Sequence, residues 1–186
     1  MRSSAASDVY KRQLYNCVNL KSVTLPSGLK FIGDCAFKGT AIESIVFPDS
    51  LYSIGDSAFS VTPIKNIDFP SALNNIGSWA FEKCLGLTSV VIPDSVEKVY
   101  DYAFYGCKNL KSATIGKKVD QIYDCTFSGC TSLETVNLPD AIKYLGIASF
   151  YNCTSLKSIK LPKSLLSIGD LSLIHISEPT RRVVIS

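Results

Sequence analysis

Apolar and polar positions alternate in short bursts that return at a fixed interval. LKSVTLP from Leu20, IESIVFP from Ile42, IKNIDFP from Ile64, LTSVVIP from Leu87, LKSATIG from Leu110, LETVNLP from Leu133 and LKSIKLP from Leu156 follow one another at spacings of 22, 22 and then 23 residues. Alternation such as Val23 and Leu25, Ile45 and Phe47, or Val136 and Leu138 predicts a short strand with one buried face. Pro26, Pro48, Pro70, Pro93, Pro139 and Pro162 come directly after it, where a missing amide donor interrupts no ladder, and Gly116 takes that place in one unit.

A second series keeps the same phase: FIGDCAF ending at Phe37, SIGDSAF at Phe59, NIGSWAF at Phe81, KVYDYAF at Phe104, QIYDCTF at Phe127 and YLGIASF at Phe150, with Ser167 to Asp170 opening a seventh copy. The Ile-Gly pair predicts a tight turn that needs either positive φ or close backbone approach. Tyr100 and Tyr123 stand in for that Gly, which argues against an obligatory positive φ. Ala-Phe then sends a large ring inward behind a small residue.

No single unit can bury its own Leu, Val, Ile and Phe, whereas stacked units turn these positions into continuous internal ladders. The predicted fold is a leucine-rich-repeat solenoid: a curved parallel β superhelix with one short strand per 22–23 residue repeat and turns or short helical segments on the other side. At a strand spacing of roughly 4.8 Å, six to seven turns span on the order of 30 Å.

Charge changes little in this picture. The net charge is +3, but from Leu14 to Asp170 there are 14 Lys against 10 Asp and 4 Glu. All four Arg (Arg2, Arg12, Arg181, Arg182) and the single His175 sit at the two ends, so a charge-based case for nucleic acid fails. Ser3 to Gln13 and Leu171 to Arg181 resemble translated sequencing-library adapters. Residues 1–13 are accordingly expected to be an adapter-like artefact and disordered, 14–170 a repeat domain truncated at both ends, and 171–186 a second adapter-like artefact.

Seven Cys invite a metal or disulfide reading, yet their phase follows the motif. Cys17, Cys84, Cys107, Cys130 and Cys153 precede by three the Leu that opens a repeat, and Cys35 and Cys125 precede the repeat Phe by two. A ladder of small buried thiols is the expectation, with a disulfide between neighbouring turns as the alternative. No metal is expected, since 14–170 contains no His and no paired C-x-x-C.

Without His, no Ser-His-Asp or Cys-His arrangement can be assembled. The recurring Asp34, Asp56, Asp101 and Asp124 are expected to accept backbone hydrogen bonds and cap the turn rather than act as paired acids. There is no phosphate-cradling glycine loop, and the chain is read as a non-enzyme with no cofactor. The outward face of the strands is the remaining candidate surface. Its central column, Thr24, Val46, Asp68, Val91, Thr114, Asn137 and Lys160, varies in chemistry. Its neighbour, Ser22, Ser44, Asn66, Ser89, Ser112, Thr135 and Ser158, stays small and polar. A recognition stripe and a merely solvated surface both fit that contrast.

The units L-K-S-V-T-L-P followed by I-G-D-C-A-F, and C-x-x-L-x-x-I-x-L-P, resemble the BspA-like (TpLRR) class of leucine-rich repeats over Cys17 to Asp170. The resemblance implies bacterial and protist proteins, often at the cell surface or secreted, that adhere to host proteins, other cells or matrix. It implies no cofactor and no catalytic residue. The leading expectation is therefore a non-catalytic protein-binding or adhesion module that meets proteins or glycans through the concave strand face, with neither nucleic acid binding nor direct membrane insertion. A structural repeat spacer or stalk carrying another functional domain is the alternative.

Overall fold

The computed structural model describes residues 14–173 and 182–185. Residues 1–13 and His175, both set aside above, lie outside them. In chain order the strands are β1 (Phe31–Ile32), β2 (Ser53–Ile54), β3 (Asn75–Ile76), β4 (Ser89–Val91), β5 (Lys98–Val99), β6 (Ser112–Thr114), β7 (Gln121–Ile122), β8 (Thr135–Asn137), β9 (Tyr144–Leu145), β10 (Ser158–Leu161), β11 (Ser167–Ile168) and β12 (Arg182–Ile185). They form a curved parallel β-solenoid whose turns stack one repeat on the next. The predicted strand after each repeat Leu is present as β4, β6, β8 and β10, and as the parallel Ser44–Asn66 bridge. A second ladder of two-residue strands, unforeseen in the sequence, runs through the two residues before each turn Gly or Tyr: β1-β2-β3-β5 and β7-β9-β11. Among the described residues the rest of each repeat is turn and extended chain, with no helical segment.

The core is one column per repeat position. Phe37, Phe59, Phe81, Phe104, Phe127 and Phe150 are all at most 1% exposed. Their rings stack in sequence at centroid separations of 5.2, 5.3, 5.5, 5.4 and 5.5 Å. The repeat Leu or Ile (Ile42, Ile64, Leu87, Leu110, Leu133, Leu156) and the Ile or Val before the turn (Ile54, Ile76, Val99, Ile122) form parallel buried columns beside them. Each Pro, or Gly116 in its place, accepts a hydrogen bond from the amide three residues on, as in Leu51 to Pro48 at 3.0 Å and Val119 to Gly116 at 3.2 Å. That closes the bend leaving the strand face.

Around the Phe column runs a back arc whose inter-turn bonds all point one way. Cys35, Phe37 and Gly39 donate their amides to the carbonyls of Asp56, Ala58 and Ser60 at 2.8, 2.8 and 2.9 Å. The pattern continues through Trp79, Phe81 and Lys83 onto Asp101, Ala103 and Tyr105, and ends with Ala148 and Phe150 onto Asp170 and Ser172. This geometry needs left-handed residues on both sides of each Phe. φ is 56° at Cys35, 55° at Ser57, 53° at Trp79, 59° at Tyr102 and 52° at Cys125, and again 70° at Gly39 and 67° at Gly106.

Positive φ therefore falls two residues beyond the Ile-Gly glycine, which serves close approach instead. A Cβ on Gly77 would lie 2.6 Å from the carbonyl carbon of Gly55 and 2.7 Å from the amide of Asp56. The second ladder breaks once, between β5 and β7, where Tyr100 and Tyr123 stand in successive turns with ring centroids 5.5 Å apart. Gly on either side of a junction is enough, since β3 pairs β5 across Gly77 and Tyr100, and β7 pairs β9 across Tyr123 and Gly146.

The packed turn runs past Asp170. Ser172 is 1% exposed and donates to the carbonyls of Gly146 and Gly169, Leu173 packs on the core, and β12 lies parallel to β10 in the register Ser158–Arg182 to Leu161–Ile185. Because each ring is enclosed by two neighbours, Phe104→Ala is expected to cost about 3–5 kcal/mol in chemical denaturation. Val46→Ala, on the exposed face, is expected to stay within about 0.5 kcal/mol. Equal losses at the two positions would contradict the stacking described here.

Candidate functional site

The predicted stripe lies on the strand face, and part of it is in register. Val91, Thr114 and Asn137 are register partners across β4, β6 and β8, so their side chains leave the same face one turn apart. Thr24, Val46, Asp68, Val91, Asn137 and Lys160 are exposed, Val46 at 85% and Val91 at 61%. Thr114 is half-buried, with its hydroxyl accepting from the Asn137 side-chain amide at 3.3 Å. In the neighbouring column Ser112 is half-buried and the other six are exposed.

Two shallow depressions interrupt this face. One, about 410 Å³, lies among Ser22, Thr24, Ser44 and Val46, and the other, about 440 Å³, among Asn66, Asp68, Ser89 and Val91. The second sits where the spacing changes from 22 to 23 residues. No backbone hydrogen bond among the described residues joins Asn66–Phe69 to Ser89–Val91 there. The strand faces of these two turns part while β3 and β5 keep the same turns paired on the other side.

The Asp row is structural. Asp34 accepts the Asp56 amide at 3.0 Å, Asp56 that of Ser78 at 2.8 Å, Asp101 that of Asp124 at 3.0 Å, and Asp124 that of Ile147 at 2.7 Å. Each carboxylate thus accepts a backbone amide, as expected, but the amide belongs to the next turn and not to the turn it was expected to cap.

The thiols behave likewise. Cys84, Cys107, Cys130 and Cys153 are buried and unpaired, and each donates to the carbonyl of the preceding turn's Phe: Cys84 to Phe59 at 3.2 Å, Cys107 to Phe81 at 3.1 Å, Cys130 to Phe104 at 3.3 Å and Cys153 to Phe127 at 3.2 Å. Thr40 and Thr62 hold the same repeat position and bond the Phe carbonyl of their own turn, at 2.9 and 2.8 Å. A disulfide is absent from the described cysteines. Burial pushes the Cys84 and Cys153 thiols up to about 12 and raises Cys107 and Cys130 well above the ordinary thiol value. These are inert packing groups, not nucleophiles.

Sequence reasoning passed over the left-handed position before each Phe. It carries Cys35, Ser57, Trp79, Tyr102, Cys125, Ala148 and Leu171, and there the Trp79 and Tyr102 rings stack at 4.7 Å and 8° on the outer surface of the back arc. The run S-W-A-F, with the chain's one Trp, was the available signal.

Comparison with known proteins agrees with this geometry. The family model described as BspA type leucine rich repeat region (6 copies) matches residues 4–109 and 80–178. Among solved structures, a leucine-rich repeat protein from Bacteroides ovatus ATCC 8483 is 30% identical with a TM-score of 0.74, and the match covers 91% of this chain and 55% of that one. The T. pallidum leucine rich repeat protein (TpLRR) is 33% identical with a TM-score of 0.71, covering 78% of this chain and 69% of that one. One from Eubacterium ventriosum ATCC 27560 is 25% identical with a TM-score of 0.75, covering 88% and 45%. This chain thus spans about half the length of the first and third. No similar curated protein was found.

The buried thiols predict how stability responds to alkali. Their folded values lie above the ordinary 9.0, so the unfolded chain releases protons first as pH rises. Stability is complete below about pH 9 and falls from there toward 12, by about 1.4 kcal/mol per pH unit for each buried thiol. Replacing Cys107 and Cys130 by Ala should flatten that fall in denaturation measured at pH 8 and pH 10. In the native protein at pH 8, exposed Cys17 should react with a thiol reagent while Cys84, Cys107, Cys130 and Cys153 stay unmodified, as peptide mass mapping would show.

Proposed function

Because the chain belongs to the BspA type leucine-rich-repeat family, we propose that it is a non-catalytic protein-binding or adhesion module of a larger surface or secreted protein. It meets partner proteins or glycans, host or matrix components among them, through the concave strand face. The carrying observation is Val46 at 85% and Val91 at 61% exposure, apolar side chains set among small polar residues on the strand face. A solvated surface gains nothing from an exposed Val, whereas an interface uses such residues as small dry contacts between polar groups. Asp68, Asn137 and Lys160 continue the same row with charge and amide groups that can fix a partner's register.

Shape and charge support a macromolecular partner. The two depressions on this face are open and shallow, unlike the enclosed clefts that hold small metabolites. With 14 Lys balanced by 14 acidic residues between Leu14 and Asp170, long-range attraction contributes little, and binding should survive moderate salt. No helix of the described residues is long and apolar enough to cross a membrane.

The test is binding of the protein to immobilised matrix proteins and a glycan array. Replacing Val46, Val91 and Asn137 together by Ser, Ser and Ala should abolish binding to the matrix proteins while circular dichroism is unchanged. Affinity for them retained by the triple variant would move the site off this face, and binding to nothing in either panel would favour the spacer reading.

A further inference from the structure

Trp79 is the chain's one tryptophan, and it does not serve the core: 40% of it is exposed. It stands at φ 53°, and its stacking partner Tyr102 at φ 59°, a backbone region that large side chains rarely adopt. The other turns fill this column with Cys35, Ser57, Cys125, Ala148 and Leu171. Two large rings therefore occupy a position that disfavours them, and one of them keeps two-fifths of its surface exposed. A broken local rule at the surface marks a place available for contact.

The geometry is that of an unfinished ladder. The Tyr102 ring covers one face of the indole at 4.7 Å, Tyr105 braces Tyr102 edge-on at 5.7 Å, and the Tyr102 hydroxyl is engaged by the Cys125 thiol. One turn earlier the column holds Ser57, which has no ring. No other described ring stacks on Trp79, and with 40% of the residue exposed its free face is a flat shelf at the surface. Polar groups adjoin Trp79 and Ser57 in the chain. Asp56, next to Ser57, has one carboxylate oxygen held by the Ser78 amide at 2.8 Å, which leaves the other as a positioned acceptor, and the hydroxyls of Ser57 and Ser78 belong to the same two turns.

We propose that this shelf binds a neutral polysaccharide, with the apolar C–H face of an equatorially substituted pyranose ring packed on Trp79 as the next rung and its hydroxyls bonded to Asp56 and the flanking serines. Each part of the site matches one property of such a sugar. The flat indole takes an apolar ring face, and the rim supplies acceptors and hydroxyls that an apolar protein side chain would leave unsatisfied. The site lies on the back arc, away from the strand face, and does not depend on the function proposed for that face.

The single Trp makes the test direct. Native gels containing hydroxyethylcellulose, soluble xylan or glycol chitin should retard the intact protein in at least one case, and the matching oligosaccharide should shift its tryptophan fluorescence. Trp79→Ser, which copies Ser57, should weaken retardation at least about tenfold with circular dichroism unchanged, and Asp56→Asn should weaken it less. The V46S/V91S/N137A variant should be retarded like the parent, which separates this site from the strand face. The proposal is overturned if none of the three polymers retards the protein, if Trp79→Ser is retarded as strongly as the parent, or if retardation disappears in 0.5 M salt (about a 4 Å screening length), since that would mark electrostatic retention and not stacking on the indole.

Discussion

The back-arc hydrogen bonds set the terms for the rest of the molecule. Two or three amides per turn donate to the following turn, at 2.7–3.0 Å and always in the same chain direction, so the spacing of successive turns is fixed by peptide geometry before any side chain is considered. That spacing is what lets the Phe rings stack at 5.2–5.5 Å, and it is short enough for an Asp carboxylate in one turn to reach an amide in the next. The cost is a left-handed residue on each side of every Phe. Burial of the aromatic column offsets it, since a fully buried ring contributes about 1.5–3 kcal/mol.

With the back arc holding the spacing, the other two sides of the solenoid can each lose contact locally. The strand face parts between the third and fourth strand motifs, at Asn66 and Ser89, and again between β8 and β10, and the second ladder parts between β5 and β7. The breaks on the two sides fall at different junctions, that of the second ladder where Tyr stands in place of Gly in two successive turns. Had breaks on both sides fallen between the same turns, only the back arc and the Phe column would have joined the halves.

This hierarchy explains what could be read from the sequence. Strand, Pro bend, buried Phe and buried Cys were legible because a column that touches both neighbours must repeat its residue type, and repetition is visible in one chain. The solvent-facing phase of Val46, Val91 and Asn137 followed from strand alternation alone. The left-handed positions were not legible, because the fold imposes them through hydrogen bonds between turns and not through a local preference: Cys35, Ser57, Trp79 and Ala148 share no property that signals positive φ. The glycines that drew attention, Gly55 and Gly77, answer instead to steric approach of the neighbouring backbone. The two-residue strands around β1 to β3 were hidden for a similar reason, being too short to show alternation.

The same constraint decides where such a solenoid is free to acquire function. A position whose side chain is enclosed by its counterparts above and below can change only within a volume those counterparts set, so the Phe, Leu and Cys columns are closed to variation. Two columns escape. One is the strand-face series from Thr24 through Val46, Asp68 and Val91 to Lys160, and the other is the left-handed series from Cys35 through Trp79 and Tyr102 to Leu171. The first is mostly exposed and the second, apart from buried Ala148, reaches the surface; both differ in chemistry from turn to turn, and they leave the chain on different sides of the turn. Substitution in one column does not strain the other, because the Phe stack lies between them and neither contributes to it. A chain built this way can alter one contact surface while the other, and the fold beneath both, stays as it was.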